Sequence, residues 1–235
     1  MRFDACAHSY DAYAAPQRNF AARVAEFIEV RPREDVVELG AGTGALTIRI
    51  CGFPNAGVRA TDASPAMAEL GRKAAAAARW SVLDAFESAV PEAALQISSG
   101  LLQWAAEPRE VLRGWGAALK PGGRLVHAFP CDPCLEEWRA LVPASPVLWR
   151  GKDDWEELFA AAGLRVRRAQ IWIEPVIFPS ALDMLRALHR SGVTGRTRLG
   201  PGRLRQALRD YEIRHQVSGG VLSTWAWLAV EAEAP

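Results

Sequence analysis

From about Arg33 onward, apolar runs of strand length alternate with stretches of helical periodicity. The candidate strands are DVVEL, GVRAT, RWSVL, ALQIS and GRLVHAF, and between them lie the helical patterns ALTIRIC, PAMAELGRKAAAAA and PREVLRGWGAAL. Strand, helix, strand in repetition predicts a parallel sheet with helices on both faces. Ser64 followed by Pro65 has the order of an N-cap and a first helical residue, and LKPGGRL reads as a helix stop, a tight turn and a strand start. Before the first strand, PQRNFAARVAEFIEV predicts an amphipathic helix; later, DDWEELFAAAGL predicts an acid-started helix ending at Gly163, and RVRRAQIWIEPVIF is strand-like until its prolines.

Residues 180 to 215 break the alternation. SALDMLRALHRSG and GPGRLRQALRDYEIRH read as two helices, after which GGVLSTWAWLAVEA returns as a final strand. Neither helix is long enough to hold a core alone, so they predict an insertion beside the sheet inside a single domain spanning 1–235.

Composition narrows the possibilities. With 235 residues, half of them hydrophobic, the chain can bury one sizeable α/β core. The 28 lysines and arginines against 27 acids leave a formal charge of +1, so no global bias toward nucleic acid or anionic lipid is expected. MRFDACAHSYDAYAAPQ has no apolar core with a cleavage site, and no later segment approaches a membrane span, so a soluble cytoplasmic protein is expected. The four cysteines are too few for a disulfide scaffold, and CDPC lacks the further ligands a zinc ion needs; two ordinary thiols and no metal are expected.

The chemistry concentrates in VVELGAGTGALTI. Glycines at 40, 42 and 44, directly after a buried strand, let the backbone turn sharply and leave no side chains where a ligand must lie against the chain. The spacing serves a dinucleotide or an S-adenosylmethionine (SAM) loop equally. Glu38, inside the strand, is costly to bury unless it accepts from a donor on the ligand side, such as water or an ammonium group. Asp62 ends the second strand, where a carboxylate can accept from ribose hydroxyls, and Asp84 follows the third, suited to an adenine amino group. Three acids on three successive strand tips carry more information than the glycines. Read singly, Asp62 or Asp84 is also compatible with a helix cap or a solvated loop acid.

With these features residues 34–130 resemble the class I SAM-dependent methyltransferases, with PGG before the fifth strand. RFDACAHSYDAYAAPQ, TDASPAM, LLQW, LKPGGRL and SALDMLRALHRSGVTG extend the likeness to the malonyl-acyl carrier protein O-methyltransferase family of biotin synthesis. The resemblance implies a Rossmann-like α/β sheet with helices on both faces, an N-terminal helical lid over 1–30, a SAM-binding core over 34–130 and a helical insertion over 180–215 before the last strand. It implies SAM as methyl donor, with contacts at Gln17 (to the SAM carboxylate), Glu38, Gly40, Ala41, Gly42, Asp62, Ala63, Met67, Asp84, Ala85 and Ser98. One departure is Ala94, where many relatives carry an aspartate in the fourth strand.

The implied reaction moves a methyl group to the free carboxylate of a malonyl thioester, giving the ester that starts pimeloyl synthesis. A carboxylate is already a nucleophile at neutral pH, so the site must exclude water and align the reacting atoms rather than supply a strong base. Arg150 matches a basic position of the family and could hold the acid through a bidentate fork, or be a surface arginine before a helix. Tyr10, in the lid segment, is the second catalytic candidate, its alternative being a side chain packed at a lid edge. Gln103 and Trp104 follow the fourth strand, where a substrate-facing loop is expected; His127 reads as a core histidine and His8 as a weak candidate.

Between Arg165 and Arg214 arginines outnumber acids, with Arg186, Arg190, Arg196, Arg198, Arg203 and Arg205 among them. A basic rim would steer an acidic acyl carrier protein, with no role for nucleic acid or membrane; solvated helix faces are the plainer explanation. Three alternatives remain at this level: a small-acid methyltransferase resembling those that esterify trans-aconitate, a noncatalytic SAM-binding partner protein, and a dehydrogenase.

Overall fold

A computed structural model describes residues 2–54, 56–142, 145–193 and 199–234. Arg196 and Arg198, and the stretch of the insertion around them, lie outside the described residues. The first five long strands follow the expected alternation: β1 (Asp35–Leu39), β2 (Gly57–Asp62), β3 (Arg79–Val82), β4 (Ala93–Ser99) and β5 (Leu119–Pro130). They pair in parallel in the order β3-β2-β1-β4-β5. β1 is buried at Val36, Val37, Glu38 and Leu39, the pattern of a central strand covered on both faces.

Two helices precede the sheet, α1 (Arg2–Tyr13) and α2 (Ala15–Phe27). They break at Ala14, and Pro16 sits in the first turn of α2, where its missing N–H removes no helical bond. ALTIRIC makes only a short α3 (Thr47–Ile50), because the glycine loop uses the residues before it. The helix α4 (Pro65–Ala74) opens on the Ser64 cap, whose Oγ accepts from Met67 N, as expected. It ends before the alanine run does: the Trp80 indole donates to Ala75 O at 3.1 Å, and the same ring packs so closely on Gly71 that a Cβ there would lie 2.1 Å from it.

After α5 (Pro108–Ala117), β5 begins at Leu119, so the PGG segment lies within an irregular strand opposite a register shift at Ala93/Leu95, with Gly122 at φ +73°. Two helices then follow, α6 (Glu136–Leu141) and α7 (Lys152–Ala161), before β6 (Arg165–Phe178). β6 does not stop at its proline: Pro175 is accommodated because β6 is an edge strand that needs donors on one side only. The helices α8 (Ala181–Arg190) and α9 (Pro201–His215) come next, and a two-residue β7 (Gln216–Val217) turns into β8 (Gly220–Glu233).

β8 inserts antiparallel between β5 and β6, completing the order β3-β2-β1-β4-β5-β8-β6. That insertion places residues 220–233 one strand in from the edge of the sheet. Large side chains including Trp115, Trp155, Tyr211, Phe20 and Phe129 are fully buried around it, and a buried Arg124–Glu34 pair joins β5 to the residues before β1. Among the described residues no helix is long and apolar enough to cross a membrane, and no cluster of three potential metal ligands occurs.

Candidate active site

The order of β2, β1 and β4 makes a topological switch point, and a pocket opens at the carboxyl ends of these strands. The glycine loop forms its floor, with Gly40 at φ +65° and Gly42 at φ +57°. A Cβ on Gly40 would come within 2.9 Å of the Leu101 side chain, whereas one on Gly42 would meet nothing within 4 Å. The chain there is bent as tightly as glycine permits, and Gly42 keeps open space beside it.

Each strand-tip acid is fixed by donors from the segments that follow these strands. Asp62 accepts from Gly42 N through Oδ2 and from Ser64 N through Oδ1, both at 2.8 Å. Burial raises its carboxyl above the usual range, the two backbone donors opposing that effect. Asp84 accepts from Phe86 N at 3.0 Å. Glu38 is 1% exposed and accepts from Thr47 Oγ1 at 2.7 Å, and burial pushes its carboxyl up to about 8. Among the described residues no cation forms an ion pair with it. A buried acid held in this state is matched by a positively charged ligand group. Ala41, Ala63, Met67 and Ala85 line the same pocket between these acids.

The N-terminal helices roof the floor. Asp4 of α1 accepts from Ser64 Oγ, and Asp11 accepts from Thr43 Oγ1 at 2.7 Å, so one helix is bound to the loops after both β2 and β1. Tyr10 and Gln17 line the pocket from separate helices across the Ala14 break. Desolvation raises the Tyr10 phenol above its ordinary value, leaving a neutral hydroxyl at physiological pH. Gln17 donates from Nε2 to Ser191 Oγ at 3.4 Å, and its buried Oε1 has no partner among the described residues. Arg18, absent from the sequence-based set, is the basic residue lining the pocket among the described residues; it donates to Asp11 O and has no carboxylate partner. Its sequence context does not distinguish it from the other arginines.

The opposite wall is apolar. Gln103 and Trp104 contribute to it as expected, with Trp104 edge-on to Phe3 of α1 at 6.1 Å. The rest comes from late in the chain. Cys131 N donates to Ala226 O and Leu135 N to Thr224 O, which zips the CDPC turn alongside β8 and sets Cys134 and Leu135 beside Trp225. Leu135 is held there at φ +56°, an uncommon conformation for a leucine. Burial pushes both thiols up to about 12. Val147, Trp149, Trp225 and Trp227 complete the wall, and none of them was anticipated.

Several sequence-predicted residues lie elsewhere. Arg150 does not line the pocket: its neighbour Trp149 does, while its own guanidinium sits over the Trp155 ring at 5.3 Å and donates to Leu148 O. Ser98 is also outside the lining. Its Oγ bonds His127 Nδ1 at 2.6 Å inside the sheet, and the adjacent Ser99 faces the pocket, as the alternation of a strand requires. His127 is fully buried, its imidazole pushed down to about 3 by burial. His8 is exposed and lines nothing. Arg186 pairs with Asp183 at 3.2 Å, and Arg190 lies over the Tyr13 ring at 5.0 Å, whereas Arg203 and Arg205 on α9 are exposed.

The floor therefore offers acceptors for a nucleoside at Asp62 and Asp84, and Glu38 for an ammonium group, which fits SAM. A methyltransferase-domain family matches residues 37–125. The magnesium protoporphyrin IX methyltransferase of Synechocystis PCC 6803, solved with bound SAH, shares the fold at a TM-score of 0.60 with 13% identity, covering 93% of this chain and 83% of that one. Residues 37–125 thus form a methyltransferase domain of the class I SAM-dependent type, which uses SAM as its cofactor. Along nearly its whole length it is similar to the malonyl-[acyl-carrier protein] O-methyltransferase of Paenibacillus sp. (strain JDR-2), with 26% identity over 96% of this chain and 94% of that protein. The trans-aconitate 2-methyltransferase of Rhodococcus jostii (strain RHA1) is 34% identical over 44% of this chain and 41% of its own length.

Proposed function

We propose that the chain methylates the free carboxylate of a malonyl thioester carried by an acyl carrier protein, in the service of biotin synthesis. The observation that carries this reading is the composition of the apolar wall. Among the described residues the one titratable group on that wall is the Cys134 thiol, pushed up to about 12; Tyr10 in the roof is raised as well, His127 is sealed in the sheet, and the pocket's acids Glu38, Asp62 and Asp84 stand on the cofactor side. Methylation of an alcohol or an ammonium group needs a base, while a carboxylate arrives as its own nucleophile. SAM supplies an electrophilic methyl on a cationic sulfur, so the acid oxygen gains the methyl, sulfur keeps the electron pair of the broken bond, and no proton moves.

The residues divide by task. Asp62 and Asp84 take the ribose and adenine, with Gly40–Gly42, Ala63, Met67 and Ala85 shaping the slot. Glu38 takes the ammonium group, while Gln17 and Arg18 take the carboxylate of the same cofactor. Tyr10 closes the roof as a neutral donor, and the tryptophans exclude water from the transfer site. Arg203, Arg205 and Arg209 on α9 are exposed with no carboxylate partner among the described residues, and the same insertion reaches the pocket at Ser191 and Val193. An acidic carrier docked on those arginines would present its thioester beside the pocket.

The partial similarity to a trans-aconitate methyltransferase supports a second reading, a free small acid as substrate. Labelled SAM tested with malonyl-acyl carrier protein, malonyl-coenzyme A, malonate and trans-aconitate separates the two. Base-labile label on the carrier is expected; label confined to a free acid transfers the assignment to the second reading, and SAM binding without any label removes both.

A further inference from the structure

The proposed reaction requires something to hold an anionic substrate, and Arg150 lies outside the pocket. The wall opposite the cofactor acids contains two buried donors without an assignment, beside one unpartnered acceptor, Gln103 Oε1. Trp225 and Trp227 are 4% and 2% exposed, and neither indole Nε1–H has a hydrogen-bond partner among the described residues. Both residues line the pocket, and being two apart on β8 they project from one face of the strand. Elsewhere the buried Trp115 donates to Ala85 O, and the half-buried Trp80 and Trp149 donate to Ala75 O and Ser145 Oγ. Trp155, which also lacks a partner, lies away from the pocket. Unpartnered buried donors are uncommon because each forfeits its bond to water, and two on one pocket wall point to a ligand acceptor.

We propose that the indole N–H groups of Trp225 and Trp227 are the donors that hold the oxygens of the acid substrate at the transfer site. This rests on the carboxylate reading above. Neutral donors suit the reaction better than a guanidinium. An arginine fork occupies both carboxylate oxygens and neutralises the charge that makes the acid a nucleophile, whereas an indole donates one bond and leaves the remaining lone pairs free. The rings are fixed in place: Trp227 stacks on Phe20 with centroids 5.0 Å apart, and its edge lies 3.1 Å from where a Cβ of Gly100 would be.

The experiment uses Trp225→Phe and Trp227→Phe, which keep the aromatic volume and remove only the N–H, with indole 15N labelling of the whole protein loaded with S-adenosylhomocysteine. The indole signals lost in each variant identify the two groups in the wild type. Malonyl-coenzyme A is expected to move both downfield, and acetyl-coenzyme A, which lacks the free carboxylate, to leave at least one unmoved. Each variant is expected to raise KM for the methylated acid by roughly tenfold while SAM affinity stays within about twofold. Unmoved indole signals with malonyl-coenzyme A, or unchanged KM in both variants, overturn the assignment. A loss of SAM affinity equal to the loss of acid affinity also overturns it, since that is what a packing role produces. Failure of the functional reading shows separately, as a wild-type protein that methylates no acid, and the inference then falls with it.

Discussion

The two walls of the pocket are built on opposite principles. The acidic wall, the proposed cofactor wall, comes from the tips of β1, β2 and β3, three parallel strands at whose ends backbone and hydroxyl donors hold the carboxylates. The apolar wall, the proposed substrate wall, comes from the β4 and β5 exits, the approach to α7 and the antiparallel β8, and it carries indoles, aliphatic side chains and a thiol instead of charges. Parallel strands converge on one end of a sheet whatever their side chains, so a cofactor site can be assembled from short local signals. An inserted antiparallel strand lets a distant segment set what the cofactor meets.

The largest effect that would sharpen this contrast is expected at Asp62. Asp62→Ala removes the anchor of Gly42 and Ser64 together with a nucleoside acceptor, so calorimetry should show SAM affinity falling by about 100-fold or more while the fold is retained. A change confined to the acid's KM would mean that the two walls are not separable. Next, reversing charge at Arg203, Arg205 and Arg209 together is expected to lower kcat/KM by roughly tenfold or more with a carrier-bound substrate at low salt, and to leave malonyl-coenzyme A unaffected. Equal losses on both substrates would place α9 in the fold and not in docking.

Glu38 yields a pH dependence. Its folded carboxyl titrates near 8 against an ordinary value of 4.5, so the folded protein holds this proton more tightly than the unfolded chain. The stability it contributes is fully present below about 4.5 and is lost as pH rises toward 8. Thermal melts of the ligand-free protein should decline through that window, and Glu38→Gln should flatten the decline. A bound ammonium favours the carboxylate, so SAM affinity should rise over the same range, by at most about tenfold per pH unit, in the wild type but not in the variant. The smallest effect is expected at Arg150: Arg150→Met should change KM for the acid by less than about twofold, because its guanidinium packs on Trp155 and exposed contacts of this kind contribute little. A tenfold rise would return Arg150 to the substrate wall.

The alternation of apolar runs made the parallel half of the fold readable, and Glu38, Asp62 and Asp84 were readable as a set because each stands at or just past the end of a strand. Errors of phase came from neighbours the local pattern cannot separate. Ser98 and Ser99 differ only in which side of β4 they face, and Trp149 and Arg150 only in which of two adjacent residues faces the pocket. Trp225 and Trp227 had no local signal at all. They stand almost at the end of the chain, and only the insertion of β8 beside β5 brings them opposite the glycine loop.

The roof couples order at the site to access. The carboxylates of Asp4 and Asp11 tie α1 to the loops after β2 and β1, at the strand ends proposed to hold the nucleoside. A donor seated beneath α1 would enter, and its spent thioether would leave, past the same contacts that shape the slot, so the segment that encloses the reaction also governs the exchange of its cofactor.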